Sequence, residues 1–130
     1  MKLLKGIHHI AIICSDYERS KRFYTEVLGL EIRQEVYRPE RKSYKLDLNL
    51  DDRYVLELFS FPEPAPRPSQ PEAMGLRHLA FAVADINVAI ADLLNKGVVT
   101  EPVRTDPYTG KRFTFFRDPD GLPLELYEEV

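Results

Sequence analysis

Ile7-His8-His9-Ile10-Ala11-Ile12-Ile13-Cys14-Ser15-Asp16 returns 69 residues later as Leu76-Arg77-His78-Leu79-Ala80-Phe81-Ala82-Val83-Ala84-Asp85. In both copies a histidine is followed seven residues on by an aspartate. The correspondence continues at an offset of 68, where Gly29 matches Gly97 and Val55-Leu56-Glu57-Leu58-Phe59 matches Pro123-Leu124-Glu125-Leu126-Tyr127. Self-similarity at a near-constant offset marks a repeated structural unit. Each half opens on a histidine and closes on a glutamate.

The two halves also share a local reading. The apolar runs 7–14 and 76–83 are rich in Ile, Val and Phe and too short for free-standing helices, so they read as buried strands. Asp16 and Asp85 follow as N-caps, whose carboxylates accept from the free amides of a helical first turn. Tyr17, Phe23, Tyr24, Val27 and Leu28 then recur at helical spacing up to Gly29. Ile86, Val88, Ala89, Ile90, Leu93 and Leu94 do the same up to Gly97, a glycine being the usual residue just past a helix end. Strands are expected at 30–37, 43–50 and 54–60 in the first half, and at 98–103, 112–117 and 122–128 in the second. Each half is therefore a βαβββ module, 5–61 and 75–129, within a single α+β domain spanning 1–130. The segment 62–74 between them is a linker. Five of the chain's ten prolines lie in Pro62–Pro71, which predicts an extended connection rising about 3.1 Å per residue.

Composition narrows the function. The 130 residues carry 18 Lys+Arg against 21 Asp+Glu, a net charge of −3, which offers no positive field for a nucleic-acid backbone. No apolar run approaches the roughly 20 residues of a membrane-spanning helix. The single cysteine, Cys14, cannot form an internal disulfide, and the N-terminus has no leader pattern, so the expected compartment is the cytoplasm.

Strand parity then locates the chemistry. Side chains alternate faces along a strand, so His9 shares a face with Ile7, Ala11 and Ile13, and Glu57 with Val55, Phe59 and Phe61. His78 and Glu125 repeat the arrangement with Ala80, Ala82, Pro123 and Tyr127. If the first and last strands of each module are neighbours, each sheet presents one His beside one Glu among apolar residues. Imidazole and carboxylate are good donors to divalent transition metals, and a cation offsets the cost of burying carboxylates. His9, Glu57, His78 and Glu125 are the candidate metal ligands.

With these residues, the chain resembles the vicinal oxygen chelate superfamily, which includes glyoxalase I, extradiol dioxygenases, fosfomycin-resistance thiol transferases and bleomycin-binding proteins. The resemblance rests on His9-Ile10-Ala11-Ile12-Ile13-Cys14-Ser15-Asp16, Ser20-x-x-Phe23-Tyr24-Thr25-Glu26-Val27-Leu28-Gly29, Gly75-Leu76-Arg77-His78-Leu79-Ala80-Phe81 and Phe116-Arg117-Asp118-Pro119-Asp120-Gly121-Leu122-Pro123-Leu124-Glu125-Leu126. It covers about 5–128 and is greatest to the bacterial YaeR-type branch. It implies a cup-shaped curved β-sheet built from the two modules, the glyoxalase/bleomycin resistance/dihydroxybiphenyl dioxygenase fold. It also implies that His9, Glu57, His78 and Glu125 hold one Ni, Zn or Mn ion.

The activity so implied is that of a lactoylglutathione lyase-like lyase or isomerase. The ion stabilises an enediolate of a small oxygen-bearing substrate, Glu125 acts as the base, and Glu57 is the alternate acid/base or a fixed ligand. Glyoxalase I carries an Arg and an Asn that help hold glutathione where this chain has Ile13 and Phe61, so a smaller or less charged substrate is expected there. Ile13, Phe59, Phe61, Lys111, Arg112 and Tyr127 are the candidate substrate contacts. Lys111 and Arg112 offer cations to a substrate carboxylate or phosphate, from a loop that closes over substrate in the superfamily. His8 and Arg77 have the opposite parity to the ligands and are expected to face away from them, His8 beneath a helix. Asp118-Pro119-Asp120-Gly121 reads as a turn that aims the Glu125 strand. A homodimer is expected; the cup can form from the two modules of one chain or, as is common in glyoxalase I-like proteins, from modules of two subunits that each give a His–Glu pair to one metal. The alternatives are a non-catalytic small-molecule or metal-binding protein of the same fold, and a thiol transferase of the fosfomycin-resistance type.

Overall fold

The computed structural model describes residues 2–68 and 72–129. Ser69, Gln70 and Pro71 of the expected linker lie outside the described residues. The chain divides into two compact units at Ala65/Pro66, inside that linker.

In the first unit, β1 (Ile10–Cys14) leads into α1 (Tyr17–Arg22), a π-helical turn (Phe23–Val27), β2 (Glu31–Arg38), a 3₁₀ turn (Pro39–Arg41), β3 (Ser43–Leu50) and β4 (Arg53–Ser60). The sheet order is β1-β4-β3-β2, with β1 parallel to β4 and the other pairs antiparallel. Asp16 caps α1 as its sequence position predicts, its carboxylate accepting from the Arg19 amide at 3.2 Å. The helix does not run unbroken to Gly29. The Leu28 amide reaches back five residues to the Phe23 carbonyl, and Gly29 then takes φ +78°, a conformation with little cost only for glycine. The turn buries Tyr24 completely.

The second unit repeats the plan with β5 (Leu79–Val83), α2 (Ile86–Asn95), β6 (Arg104–Thr105), β7 (Arg112–Arg117) and β8 (Pro123–Glu128), ordered β5-β8-β7-β6. The strand expected at 98–103 is the main departure, since only Arg104–Thr105 pair regularly with β7. Pro102 explains it, because it has no amide to give the ladder. The neighbouring Glu101 still donates its amide to the Phe115 carbonyl at 2.8 Å. The strands beginning the two modules are also shorter than expected, starting at Ile10 and Leu79.

Alternation gives each sheet a packed face and an open one. On β3 and β4, Leu46, Leu48, Leu56 and Leu58 are at most 2% exposed. On β7 and β8, Thr114, Phe116, Leu124 and Leu126 are buried likewise. The intervening residues, among them Glu57 and Glu125, point to the open face. The turn before β8 is built as its sequence suggests: Asp118 accepts from the Asp120 and Leu122 amides at 2.9 Å each, and Gly121 sits at φ +82°. Among the described residues no helix is long and apolar enough to cross a membrane.

Candidate functional site

The parallel pairing of first and last strands does what the parity argument requires. Ala11 lies beside Glu57 and Ile13 beside Phe59, so His9, just ahead of β1, stands over the open face next to Glu57. His9 Nε2 is 3.6 Å from Glu57 Oε1. In the second module Ala80 lies beside Glu125, and His78 Nε2 is again 3.6 Å from Glu125 Oε1. Among the described residues no set of three or more His, Cys, Asp or Glu side chains converges on one point. Each module offers one imidazole and one carboxylate.

The surroundings of the two pairs differ. Glu57 faces Asp47 across β3, and its Oε2 accepts from the Tyr54 hydroxyl at 3.2 Å and meets Lys45 Nζ at 3.4 Å. The same Tyr54 hydroxyl lies 3.0 Å from Asp47, and Lys45 donates to both Asp47 oxygens at 2.8 and 2.9 Å. Burial, and then the hydrogen bond to Asp47, push the Tyr54 phenol far above its ordinary range, so it stays a donor. The hydrogen bond to Asp47 likewise holds the Lys45 ammonium charged. The Tyr54 ring stacks on His9 at 5.0 Å between centroids. In the second module Phe115 takes the place of Asp47 opposite Glu125, and its ring meets His78 edge-on at 5.1 Å.

The parity reading of His8 needs correcting. It is exposed rather than beneath a helix, its Nδ1 lies 2.8 Å from Nδ1 of His9, and its ring abuts Tyr54. Strand alternation starts only at Ile10 and so does not govern residue 8. Arg77 also turns toward the ligand-type pair, its Nη1 lying 3.1 Å from His78 Nδ1.

Ile13 is 54% exposed on the open face. Phe59 and Phe61 stack on each other, but the wall they form is less apolar than expected, because the Arg38 guanidinium lies over both rings and that of Arg41 over Phe61. Tyr127, on the Glu125 face, donates to Asp106 at 2.9 Å and shares a short hydrogen bond with Thr109, pinning the 106–111 loop. Lys111 lies 3.9 Å from Glu129. Arg112 sits on the packed face, donating twice to Glu128 at 3.0 and 2.8 Å, while Glu128 accepts the Ile86 amide at the start of α2. Its parity with Thr114 and Phe116 puts it there, away from Glu125.

Sequence reasoning passed over Lys45, Asp47 and Tyr54. The alternation Lys45-Leu46-Asp47-Leu48-Asn49-Leu50 carries the signal for the first two, since it assigns the polar set to the open face.

The His–Glu geometry fits a metal. Two donors on one ion with bonds near 2.1 Å stand roughly 3.0–3.5 Å apart, so a 3.6 Å separation without a hydrogen bond needs little adjustment. At His9 the Nδ1 contact with His8 lets Nδ1 carry the proton and leaves Nε2 free. At His78 the Arg77 guanidinium, a pure donor, must turn aside before Nδ1 can be protonated, and Arg77 is exposed enough to do so.

A pair of βαβββ modules, each setting a histidine and a glutamate on the open face of its sheet, defines the class. The chain belongs to the Glyoxalase/Bleomycin resistance protein/Dioxygenase superfamily, whose model matches residues 6–126; members of this superfamily commonly use divalent metals. It is 66% identical to YwkD of Bacillus subtilis, over 98% of this chain and 99% of that protein. It is 62% identical to YaeR of Escherichia coli, over 97% and 98%. The crystal structure of a glyoxalase family protein from Enterococcus faecalis superposes with a TM-score of 0.89 at 54% identity, covering 95% of this chain and 98% of that one. Among more distant members, methylmalonyl-CoA epimerase of Bos taurus is 30% identical over 95% of this chain and 74% of its own length. The trypanothione-dependent glyoxalase I of Leishmania major superposes with a TM-score of 0.72 at 30% identity, over 97% and 88%.

Proposed function

We propose that the protein is a metal-dependent lyase or isomerase that removes a proton from the carbon beside a carbonyl of a small oxygen-bearing substrate. His9, Glu57, His78 and Glu125 hold one divalent ion, Ni, Zn or Mn, as two His–Glu pairs, and the protein acts as a homodimer. The observation that carries this reading is the repetition of one 3.6 Å Nε2–Oε1 pair in both modules. Two carboxylates and two neutral imidazoles balance a divalent charge, and the ion, when bound, supplies Lewis-acid stabilisation of negative charge on the substrate oxygens.

The surroundings divide the labour between the glutamates. Glu57 is tied by Tyr54 and Lys45, which suits a fixed ligand. Glu125 has apolar Phe115 opposite it and, among the described residues, no hydrogen-bond donor of its own, which suits a carboxylate free to take a proton. Proton removal beside a carbonyl is the half-reaction that an epimerase and a glyoxalase share, and both names occur among the relatives.

The test is metal content of the purified protein by mass spectrometry, followed by turnover of the methylglyoxal–glutathione adduct after reconstitution with Ni²⁺, Zn²⁺ and Mn²⁺. Bound metal that falls when any of His9, Glu57, His78 or Glu125 is replaced by Ala is the expected result. Metal with turnover establishes a glyoxalase; metal without it moves the same proton abstraction to another substrate. No metal under any loading sinks the reading.

A further inference from the structure

The second unit holds a cavity of about 300 Å³ beside the Glu125 face, between the end of the linker and the second module. Its lining includes four arginines, Arg67, Arg77, Arg104 and Arg117, against two carboxylates, Glu72 and Glu101. In a chain whose net charge is −3, this pocket carries an excess of two positive charges. Glu72 is spent on Arg77, paired at 2.8 Å, whereas Glu101 stands 3.6 Å from Arg104, beyond hydrogen-bond distance, and leaves that guanidinium's N–H groups to a ligand. Arg67 and Arg117 are met by neutral carbonyls, Arg67 by those of Leu76 and Arg77 and Arg117 by that of Gly121. Such contacts fix a guanidinium without neutralising it, which leaves its remaining N–H groups set for an oxyanion.

The position of the pocket gives it a role. Phe115 lines it and also meets His78 edge-on, and the Arg104 guanidinium lies 5.6 Å from the centre of that ring. Arg117 faces Pro123 on β8, two residues before Glu125. The cations therefore adjoin the His78–Glu125 pair on the same sheet face. Lys111 and Arg112, the cations the sequence pointed to, are engaged with Glu129 and Glu128 instead.

We propose that this pocket seats a phosphate group, and that Arg67, Arg104 and Arg117 anchor it. An excess of two charges matches a phosphate ester, which carries about −1.5 to −2 at neutral pH, whereas a single carboxylate leaves one charge unbalanced. As an assignment of the substrate class, a small phosphorylated hydroxycarbonyl compound, the inference rests on the metal-site reading above; as an anion site it stands alone.

The test separates the two. Inorganic phosphate is titrated calorimetrically into the full-length, metal-stripped protein in chloride buffer. The wild type binds one phosphate per chain, R104Q and R117Q each weaken binding roughly tenfold, and H78A binds like the wild type. E72Q, which removes a competing carboxylate, tightens binding, a gain that misfolding cannot produce. No heat up to about 10 mM phosphate, or equal binding by the wild type and the R104Q/R117Q double variant, overturns the pocket. Dihydroxyacetone phosphate and dihydroxyacetone are then compared on metal-loaded protein. Tighter binding of the phosphate ester than of either dihydroxyacetone or inorganic phosphate supports the substrate class. Phosphate ester no tighter than inorganic phosphate overturns it while leaving the anion site standing. Failure of metal loading with phosphate binding intact counts against the metal reading alone.

Discussion

The Tyr54 hydroxyl donates to Oε2 of Glu57 at 3.2 Å and so leaves Oε1 as the oxygen facing His9. Among the described residues nothing equivalent holds Glu125. Three residues before it stands Leu122, buried in the core, and opposite it stands Phe115. The two modules share a His–Glu pair and differ in what surrounds it, polar and clamped in the first, apolar in the second. That divergence makes the paired carboxylates unequal.

Y54F tests the clamp. Removing the hydroxyl leaves Glu57 only its Lys45 contact, without disturbing the ring that stacks on His9. Groups that orient a metal ligand through a hydrogen bond are typically worth about 10- to 100-fold in metal affinity. The expected result is a loss of that order in a chelator-competition titration, with the melting temperature little changed. Unchanged affinity shows that Tyr54 does not position Glu57.

Arg77 makes the opposite prediction. Its guanidinium can only donate to His78 Nδ1, which favours the tautomer with the proton on Nε2, where the metal would bind. R77A removes that competition. Metal affinity measured by the same titration should therefore rise or hold; a fall overturns the argument that Arg77 must turn aside.

The repeat made most of this architecture readable. Histidine-to-aspartate spacing located both first strands and both N-caps, and parity set each histidine on the face of its glutamate. What parity could not supply lies where the strand period stops or a strand is cut short. His8 lies two residues ahead of β1, one further than His9, and there the alternation no longer held. Pro102 cut β6 to two residues. Lys111 and Arg112 were chosen from a loop for their charge, whereas Arg112 follows its strand's parity to the packed face. The arginine pocket gathers residues from the linker end, β6 and β7 that no single motif contains.

The first module also carries a pH-dependent clamp between its helix and an edge strand. Glu35 on β2 accepts from the Tyr17 hydroxyl at 2.5 Å and from Lys21 Nζ at 2.7 Å. The Lys21 hydrogen bond, then that of Tyr17, hold its carboxyl below the usual value. A depressed folded-state pKa gives stability that is present above the unfolded value near 4.3 and lost as pH falls through the folded one. Thermal melts of wild type and E35Q should differ at neutral pH, by about 1 kcal/mol for a partly exposed cluster, and converge as the pH drops below about 4. A difference that stays constant down to strong acid shows that the clamp does not act through the carboxylate charge.

The start of α2 is secured twice. Asp85 accepts from the Asn87 and Val88 amides at 2.9 and 3.2 Å, and Glu128, brought in by β8 and held by Arg112, accepts from Ile86 at 2.9 Å. Between them they satisfy the first three amides of the helix, groups that otherwise have no partner within it. D85A should cost about 1 kcal/mol, the usual worth of an N-cap, and should speed exchange at Asn87 and Val88. E128Q should speed exchange at Ile86 and release Arg112, tying the helix less firmly to the strand that carries Glu125. Hydrogen exchange followed by NMR reads these amides separately. If E128Q leaves Ile86 protection unchanged, Asp85 carries the cap alone and the β8 link to α2 is packing rather than charge.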